Sequence, residues 1–363
     1  MKLFILSDDM SGDGPVWMNI FWPHYTAYKD SVPTVLMNVP FRPAGSGRLG
    51  NFLQNRNERR LHSQRLCDQF RAERDPKGPN ILVVWGLNVR DIIRSRLLDP
   101  VWDQFDARVL WILDTVNPAH VKPELVGRFD LVACICGDTS EDFKTNFGLP
   151  TVFMPPHTDV LRHGSTGAYR PIDLLVIGRR LARLYNPIHL HFNQQDQARI
   201  SCDLMTRTRN FSASAKEESQ LLLGYYARAK LSFCFEPSTA HPRFRSLSPM
   251  TERWPHSWAS GCTVVGTRPR GRGAAEQMDW PEAMIELPET PNEAIPFLEA
   301  LLADEEGLRR RRVRNVAEAA RRHDSRHRLH TLIKELDMAV PDGLANGLKR
   351  LEHLSSDILA EAT

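Results

Sequence analysis

The stretch from Ser246 to Gly271 reads SLSPMTERWPHSWASGCTVVGTRPRG and contains three signals in a fixed order. A polar and charged cluster at 251–253 follows a proline, and it predicts the start of a helix. Small residues at 259–261 predict the end of that helix, because the glycine there takes a positive φ without steric cost. The β-branched run at 263–265 comes directly afterwards and predicts a buried strand.

This order of helix, glycine and strand is typical of an α/β protein, and it places two charged residues at the start of the helix. Glu252 and Arg253 would then stand beside the crevice at the carboxyl ends of the strands, where α/β proteins bind ligands. N–H groups exposed at a helix N-terminus, together with the helix dipole, suit a phosphate. The alternative is an ordinary helix whose charges face solvent while Trp254 and Trp258 pack into the core.

The stretch resembles the donor-binding segment of GT-B glycosyltransferases, closest to their group-1 and CgeB-like branches. The pattern of that family is an acid-containing helix followed by Ala-x-Gly-x-x-Val-Val, and residues 259–265 here read ASGCTVV. Many relatives carry a glutamate three residues before the alanine, where this chain has His256. Glu252, one helical turn earlier, is the only carboxylate of the segment. The resemblance implies an α/β chain of GT-B architecture, with two Rossmann-like domains whose parallel sheets face a cleft.

Composition favours an ordinary folded protein of about two domains. The 363 residues include 47 lysines and arginines against 44 aspartates and glutamates, a balance that gives no indication of nucleic-acid binding. Six cysteines lie mostly in apolar runs, which predicts reduced, buried thiols. The apolar segment 1–6 is too short for a signal peptide or a membrane span. We therefore expect a cytoplasmic protein, and peripheral contact with a membrane stays open.

Short apolar runs alternate with charged, amphipathic stretches, which is the pattern of a parallel sheet covered on both faces. In the first half these runs lie at 2–6, 34–39, 81–85, 108–113, 131–135 and 151–154. The pattern resumes at 172–177 after a proline-containing turn and a polar segment. We therefore predict an N-terminal, acceptor-side domain at 1–160 and a C-terminal, nucleotide-sugar-binding domain at 171–340. An amphipathic helix at 341–363 follows, marked by leucines at helical spacing: Leu344, Leu348, Leu351 and Leu354.

Two strand ends in the first half carry candidate catalytic residues. The loop after the first strand contains Asp13, together with Gly12 as a donor-binding candidate, and the resemblance implies that this loop lies near the transferred sugar. Asp114 follows the strand at 109–113, where a carboxylate can accept a hydroxyl proton or hold a sugar. A flexible turn is the alternative for Gly12 and Asp13, and a turn cap is the alternative for Asp114.

In the second half, candidate donor-binding residues follow two strands. Gly178 and Arg179 come directly after the strand at 172–177, with Arg183 close behind, and such a turn can hold a diphosphate through charge-assisted hydrogen bonds. An exposed basic turn is the alternative. Glu236 and Ser238 follow the strand at 231–235, in the loop that the resemblance places against the base or the ribose. The predicted donor site is completed by Thr251, Glu252, Arg253 and Gly261.

The resemblance implies that a sugar is transferred from a nucleotide sugar to an acceptor, which is a glycan, a lipid-linked sugar or a small molecule. We assign catalytic roles to Asp13, Asp114 and Glu252. The chain contains no Asp-x-Asp, so we expect no metal and no cofactor besides the donor. Arg179 and Arg253 would instead meet the charge on the leaving diphosphate.

Two other functions stay open at this stage. A nucleotide-sugar epimerase of similar fold would use the same donor site and would need acids and bases able to move protons. A non-catalytic nucleotide-binding or scaffold protein is the other alternative, because His256 replaces an acid that is common among relatives.

The arginine run at 309–312 raises the question of nucleic acid again. No aromatic residue interleaves with these arginines, so base stacking is poorly supported, and we expect no nucleic-acid partner. Glu305, Glu306 and Glu318 lie nearby and predict a solvated helix face with ion pairs along one helix. The whole segment 306–338 is helical by composition and period.

Overall fold

The structure, a computed structural model, describes residues 1–8, 10, 20–39, 50–86, 89–114, 117–178, 180–193, 199–204, 214–236 and 247–361. These residues divide into two units. The first unit contains Met1–Met154, residues 214–215 and His330–Leu344, and the second contains the described parts of 155–210, 216–329 and 345–363. This division does not test whether 1–160, 171–340 and 341–363 fold as separate domains, which stays a prediction.

The first unit is built on a six-stranded parallel sheet, as the apolar runs predict. Its strands are β1 (Lys2–Asp8), β2 (Thr34–Val39), β3 (Asn80–Gly86), β4 (Ala107–Ile112), β5 (Leu131–Cys134) and β6 (Thr151–Phe153), in the order β2-β1-β3-β4-β5-β6. Every residue of β3 is buried, because helices cover both faces of such a sheet. Its sequence is therefore continuously apolar rather than alternating.

Among its described residues up to Met154, this unit contains five α-helices: α1 (Trp22–Ser31), α2 (Gly50–Glu73), α3 (Val89–Arg94), α4 (Pro123–Val126) and α5 (Gly137–Phe147). One face of the sheet packs on an aromatic cluster in which the ring of Phe70 lies 5.1 Å from that of Phe4 and 4.3 Å from that of Phe105. Phe70 comes from α2, so the charged stretch expected to form a helix does cover the sheet.

The second unit contains a five-stranded parallel sheet. Its strands are β7 (Ile172–Ile177), β8 (Ser201–Leu204), β9 (Ala229–Cys234), β10 (Thr263–Gly266) and β11 (Ile285–Glu286), in the order β11-β10-β9-β7-β8. Three of these strands were expected at 172–177, 231–235 and 263–265, and the run at 283–287 before Pro288 predicts β11 as the fourth. Strand β8 was not, because its four residues, SCDL, include a serine and an aspartate and carry no apolar run.

The helices of the second half are α6 (Val160–His163), α7 (Ala182–Phe192), α8 (Ala215–Ala227), α9 (Arg253–Ala259), α10 (Pro291–Ala303), α11 (Glu305–Arg322), α12 (Ser325–Glu335) and α13 (Asp342–Ala360). Helix α9 confirms the helix predicted from the opening stretch. The expectation of one helical segment through 306–338 was wrong in one respect, since α11 and α12 are separated at His323 and Asp324. Asp324 accepts the backbone N–H groups of Arg326 (2.8 Å) and Val160 (2.7 Å), and this tertiary contact ends the helical path.

The solvated face predicted for the arginine run was also partly wrong. Arg311 is only 4% exposed, and its guanidinium pairs with Glu282 at 2.7 Å and with Asp304 at 3.2 Å. Arg309 does follow the prediction, because it is half exposed and pairs with Glu306 one turn earlier. Glu282 reaches the run from a distant loop, so sequence periodicity could not reveal this partner.

Helix α13 packs on its own chain. Leu351 is fully buried in a cluster that contains Trp254 and Trp258 of α9, and Leu348 and Leu354 pack against the same cluster. The leucine spacing in the sequence thus marked the buried face of this helix correctly.

Candidate functional site

The second sheet has a topological switch point between β7 and β9. From β7 the chain continues to β8 on one side and then returns to β9 on the other, so the connections after β7 and β9 diverge. All the strands are parallel, and their carboxyl ends therefore lie along one edge. In open α/β sheets the crevice outside this edge, at the switch point, is where ligands bind.

Gly178 occupies the carboxyl end of β7, directly beside the switch point. Its φ of 76° is a conformation that favours glycine, so the chain can turn sharply after the strand. The next described residue, Arg180, forms an ion pair with Asp203 of β8, and its guanidinium lies 4.9 Å from the ring centroid of Tyr185. Arg183 is exposed in the first turn of α7.

Glu236 and Arg253 lie at the carboxyl end of β9, on the other side of the switch point. The guanidinium of Arg253 donates to the backbone carbonyl of Phe235 at 2.8 Å and to the hydroxyl of Thr251 at 3.3 Å. Glu236 is 5% exposed, and its backbone N–H donates to the hydroxyl of Thr267, which follows β10, at 2.8 Å. The start of α9 is thereby held against the carboxyl edge of the sheet.

Glu252 occupies the N-cap position of α9 and is buried, with 6% exposure. One of its carboxylate oxygens accepts the backbone N–H of His157 at 3.2 Å. The alternative in which Glu252 faces solvent is therefore wrong. Arg253 is half-buried, and its contact with the end of β9 fixes its position too.

His256, which stands where many relatives carry an acid, is also buried. Its ring Nδ1 lies 3.0 Å from the hydroxyl of Thr158, and its ring centroid lies 6.0 Å from that of Tyr226. The hydroxyl of Thr158 thus supplies this buried ring with a polar partner.

Gly261 lies at the opposite end of α9 from Glu252 and Arg253. Its φ of 73° ends the helix, and a Cβ added there would lie 2.6 Å from the carbonyl oxygen of Ser165 and 2.9 Å from Nη2 of Arg170. Only glycine fits this position, and the reason is packing. The structure therefore does not bring Gly261 together with the other candidate residues of the donor site.

Asp114 lies at the carboxyl end of β4 in the first unit and is half-buried. Three charged residues that were not predicted from the sequence lie at the same edge. Arg94 of α3 pairs with Asp8, at the end of β1, and with Asp91 at 3.0 Å, and both carboxylates are buried. Strands β1 and β3 flank the switch point of this sheet. The sequence could have indicated this site through Asp8, the aspartate that ends the first apolar run.

The candidates thus fall into three groups. The structure brings five of them to the carboxyl edge of the second sheet: Gly178, Glu236, Thr251, Glu252 and Arg253. Arg183 follows in α7, while Gly261 and Asp114 lie elsewhere. The remaining four lie outside the described residues: Gly12, Asp13, Arg179 and Ser238.

Comparison with solved structures identifies the fold. HepE of Anabaena, solved with UDP and glucose, matches 93% of this chain and 99% of its own at a TM-score of 0.55 and 13% identity. A UDP-forming α,α-trehalose-phosphate synthase from Burkholderia xenovorans, solved with glucose-6-phosphate, matches 92% and 100% at a TM-score of 0.51 and 11% identity. The N-terminal domain of trehalose-6-phosphate phosphatase from Candida albicans matches 93% and 96% at a TM-score of 0.53 and 8% identity.

The chain therefore has the GT-B fold, and structures that it resembles over most of its length are GT-B glycosyltransferases. At these identities the likeness concerns the fold alone. Neither a protein-family model nor a curated protein sequence matches the chain. In the part of the chain that the structure describes, no helix is long and apolar enough to cross a membrane.

Proposed function

We propose that this protein transfers a sugar from a nucleotide-sugar donor to an acceptor, with the donor bound at the carboxyl edge of the second sheet. The observation that carries the proposal is the convergence of Glu236, Glu252 and Arg253 beside the switch point, in a chain that has the GT-B fold. A nucleotide diphosphate sugar offers hydroxyls to carboxylates and phosphate oxygens to a guanidinium, and this edge supplies both kinds of group.

Each residue has a defined task in this proposal. Arg253 holds phosphate oxygens and stabilises the charge that develops on the leaving diphosphate, and Arg179 assists it. Glu252 and Glu236 receive donor hydroxyls, while Gly178 lets the backbone approach the diphosphate. Asp114 serves as the base for the acceptor hydroxyl, with Asp13 near the transferred sugar. The acceptor is a glycan, a lipid-linked sugar or a small molecule, and the protein works in the cytoplasm.

A thermal-shift screen against UDP, GDP, ADP, CMP and TDP compounds tests the donor site most directly. A ligand that binds only the folded state at about 100 times its Kd stabilises that state by about 2.7 kcal/mol, so a true donor nucleotide should raise the Tm clearly. UDP is the first choice, because HepE, which shares the fold, has been solved with UDP and with UDP-glucose. No shift with any nucleotide would contradict the proposal.

The donor that binds is then incubated with candidate acceptors, and the products are separated. Release of nucleotide together with a glycosylated acceptor supports transfer. Conversion of the donor to an isomer without an acceptor would identify an epimerase instead. Tight binding with neither reaction would identify a non-catalytic binding protein, as the replacement of an acid by His256 allows.

We further propose that the reaction needs no metal ion, since the chain has no Asp-x-Asp to bridge a metal to a diphosphate and Arg253 offers the alternative charge. Transfer rates should therefore be the same before and after treatment with EDTA. A rate that falls with EDTA and recovers on addition of Mg²⁺ or Mn²⁺ would show that this part of the proposal is wrong.

A further inference from the structure

The four consecutive arginines of α11 differ in their partners. Arg309 forms two hydrogen bonds to Glu306, at 2.9 and 2.8 Å. Arg310 lies 3.6 Å from Glu282, and Arg311 pairs with Glu282 and with Asp304. Carboxylates thus compensate the first three positive charges.

Arg312, the fourth, has no carboxylate partner among the described residues. Its side chain is half-buried, and its Nε atom is fully buried without a hydrogen-bond acceptor. Burial and the neighbouring positive charge of Arg309 both lower the pKa of Arg312, and Arg312 in turn lowers that of Arg170. A desolvated cation beside like charges is unfavourable unless an anion accompanies it.

The side chains and backbone that surround Arg312 belong to the second unit. A Cβ built on Gly261 would lie 2.7 Å from Cγ of Arg312 and 2.9 Å from Nη2 of Arg170, so both side chains flank this glycine. The carbonyl oxygen of Ser165 lies 2.6 Å from this built Cβ. Ser165 begins a loop, largely exposed, that reads STGAY over 165–169. Arg170 already donates five hydrogen bonds to backbone carbonyls. It would therefore attract an anion through its positive charge rather than through hydrogen bonds.

We propose that Arg312, beside Arg170 and the loop 165–169, binds a phosphate group. The two negative charges of a phosphate would balance the positive charges of the two arginines. A guanidinium is the side chain best suited to phosphate oxygens. The ligand is a phosphate monoester or inorganic phosphate, either free or as the headgroup of a lipid.

This site is separate from the donor edge. Gly261 follows the C-terminal end of α9, whereas Glu252 and Arg253 begin the same helix, and a helix of seven residues is about 10 Å long. The site therefore does not depend on the proposed transfer reaction, although α9 connects the two positions.

The test compares the Tm of the wild type, Arg312→Gln and Arg314→Gln in inorganic phosphate and in chloride at equal ionic strength. Arg314 is the matched control, because it is a half-buried arginine of the same helix that points about 200° away from Arg312. Phosphate should raise the Tm of the wild type and of Arg314→Gln, and it should raise that of Arg312→Gln much less. In chloride, Arg312→Gln should be at least as stable as the wild type, because a repulsive charge has been removed.

An equal response to phosphate in all three proteins would overturn the proposal, since general exclusion of phosphate from protein surfaces acts on each of them. A marked loss of Tm for Arg312→Gln in chloride would overturn it too, because Arg312 would then be compensated within the protein. The donor site is distinguished by Arg253→Gln, which should lose the stabilisation by nucleotide and keep the response to phosphate.

A second arm identifies the source of the phosphate group. Wild type and Arg312→Gln are sedimented with phosphatidylcholine vesicles that contain or lack phosphatidic acid. Binding that needs both Arg312 and phosphatidic acid assigns the site to a lipid headgroup. A response to inorganic phosphate without vesicle binding assigns it to a soluble phosphate compound.

Discussion

At the scale of single residues, Arg170 is the clearest structural anchor of the second unit. The residue is only 4% exposed, and its guanidinium donates to the carbonyls of Gly167, Tyr226, Ala229, Ser165 and Ser260 at 2.6 to 3.4 Å. Burial is the main cause that lowers its pKa from the ordinary arginine value. The fork of the guanidinium thus ties the polar segment after α6 to the ends of α8 and α9.

Arg170→Lys should therefore lower the free energy of unfolding by roughly 3 kcal/mol or more. Lysine has fewer donors in a different geometry, and hydrogen bonds of charged groups contribute about 1.5–3 kcal/mol each. Urea denaturation measures the effect. The control is Arg71→Lys, an arginine that is 51% exposed and pairs with Asp68, where the change should stay within about 0.5 kcal/mol. Equal effects at the two positions would contradict the anchoring role.

Substitutions of Glu252 and Arg253 should affect donor binding and catalysis differently. Because charged hydrogen bonds contribute about 1.5–3 kcal/mol, Glu252→Gln should weaken donor binding about tenfold or more. Arg253→Ala should also lower the turnover, since it removes charge that stabilises the leaving diphosphate. Donor affinity and kcat are measured for both, with the exposed residues Glu305→Gln and Arg228→Ala as controls. Donor affinity and kcat near the wild-type values in both site variants would contradict the proposed roles of Glu252 and Arg253.

At the scale of elements, α13 offers a direct comparison of buried and exposed positions. Leu351 is fully buried against the cluster that contains Trp254 and Trp258, whereas Leu359, two turns later, is 38% exposed. Leu351→Ala should cost about 2–5 kcal/mol, because the lost contacts leave a cavity. Leu359→Ala should cost less than about 1 kcal/mol. Chemical denaturation of the two variants measures this difference, and similar losses would mean that α13 is not part of the core.

At the scale of the whole molecule, one buried and three half-buried histidines make stability depend on pH. Burial lowers the pKa of His163 to about 4 and that of His323 well below its usual value, and it also lowers those of His189 and His330. Each of these side chains therefore binds a proton less readily in the folded protein than in the unfolded chain, where histidine titrates near about pH 6.5. Stability should therefore be complete above about pH 6.5 and fall as the pH decreases towards 4.

One buried carboxyl acts in the opposite direction. Burial raises the pKa of Asp159, despite the nearby Arg326, so this group favours the folded state at low pH. We expect the four histidines to outweigh it, and urea denaturation between about pH 7 and about pH 5 measures the balance. His163→Gln should reduce the slope of stability against pH. An unchanged slope would show that His163 does not contribute.

Local patterns were enough to predict most strands of the two sheets, several helices and the helix-glycine-strand order of the opening stretch. The apolar runs at 172–177 and 263–265 form β7 and β10, and the leucines at helical spacing lie in α13. Each kind of buried element leaves its own pattern of apolar residues in the sequence. Glycine at 261 marked the end of α9 for an equally local reason, its positive φ. These features depend on residues that are close together in the sequence.

Only the tertiary structure decided which residues meet. The order of strands placed Gly178 and Glu236 on either side of one switch point. Arg326 pairs with Asp159 across 167 positions. Glu282 pairs with Arg310 and Arg311, whereas Arg312 has no carboxylate partner among the residues that the structure describes. Such contacts depend on how distant segments pack together. The apolar pattern of a single segment does not determine which distant residues it will contact.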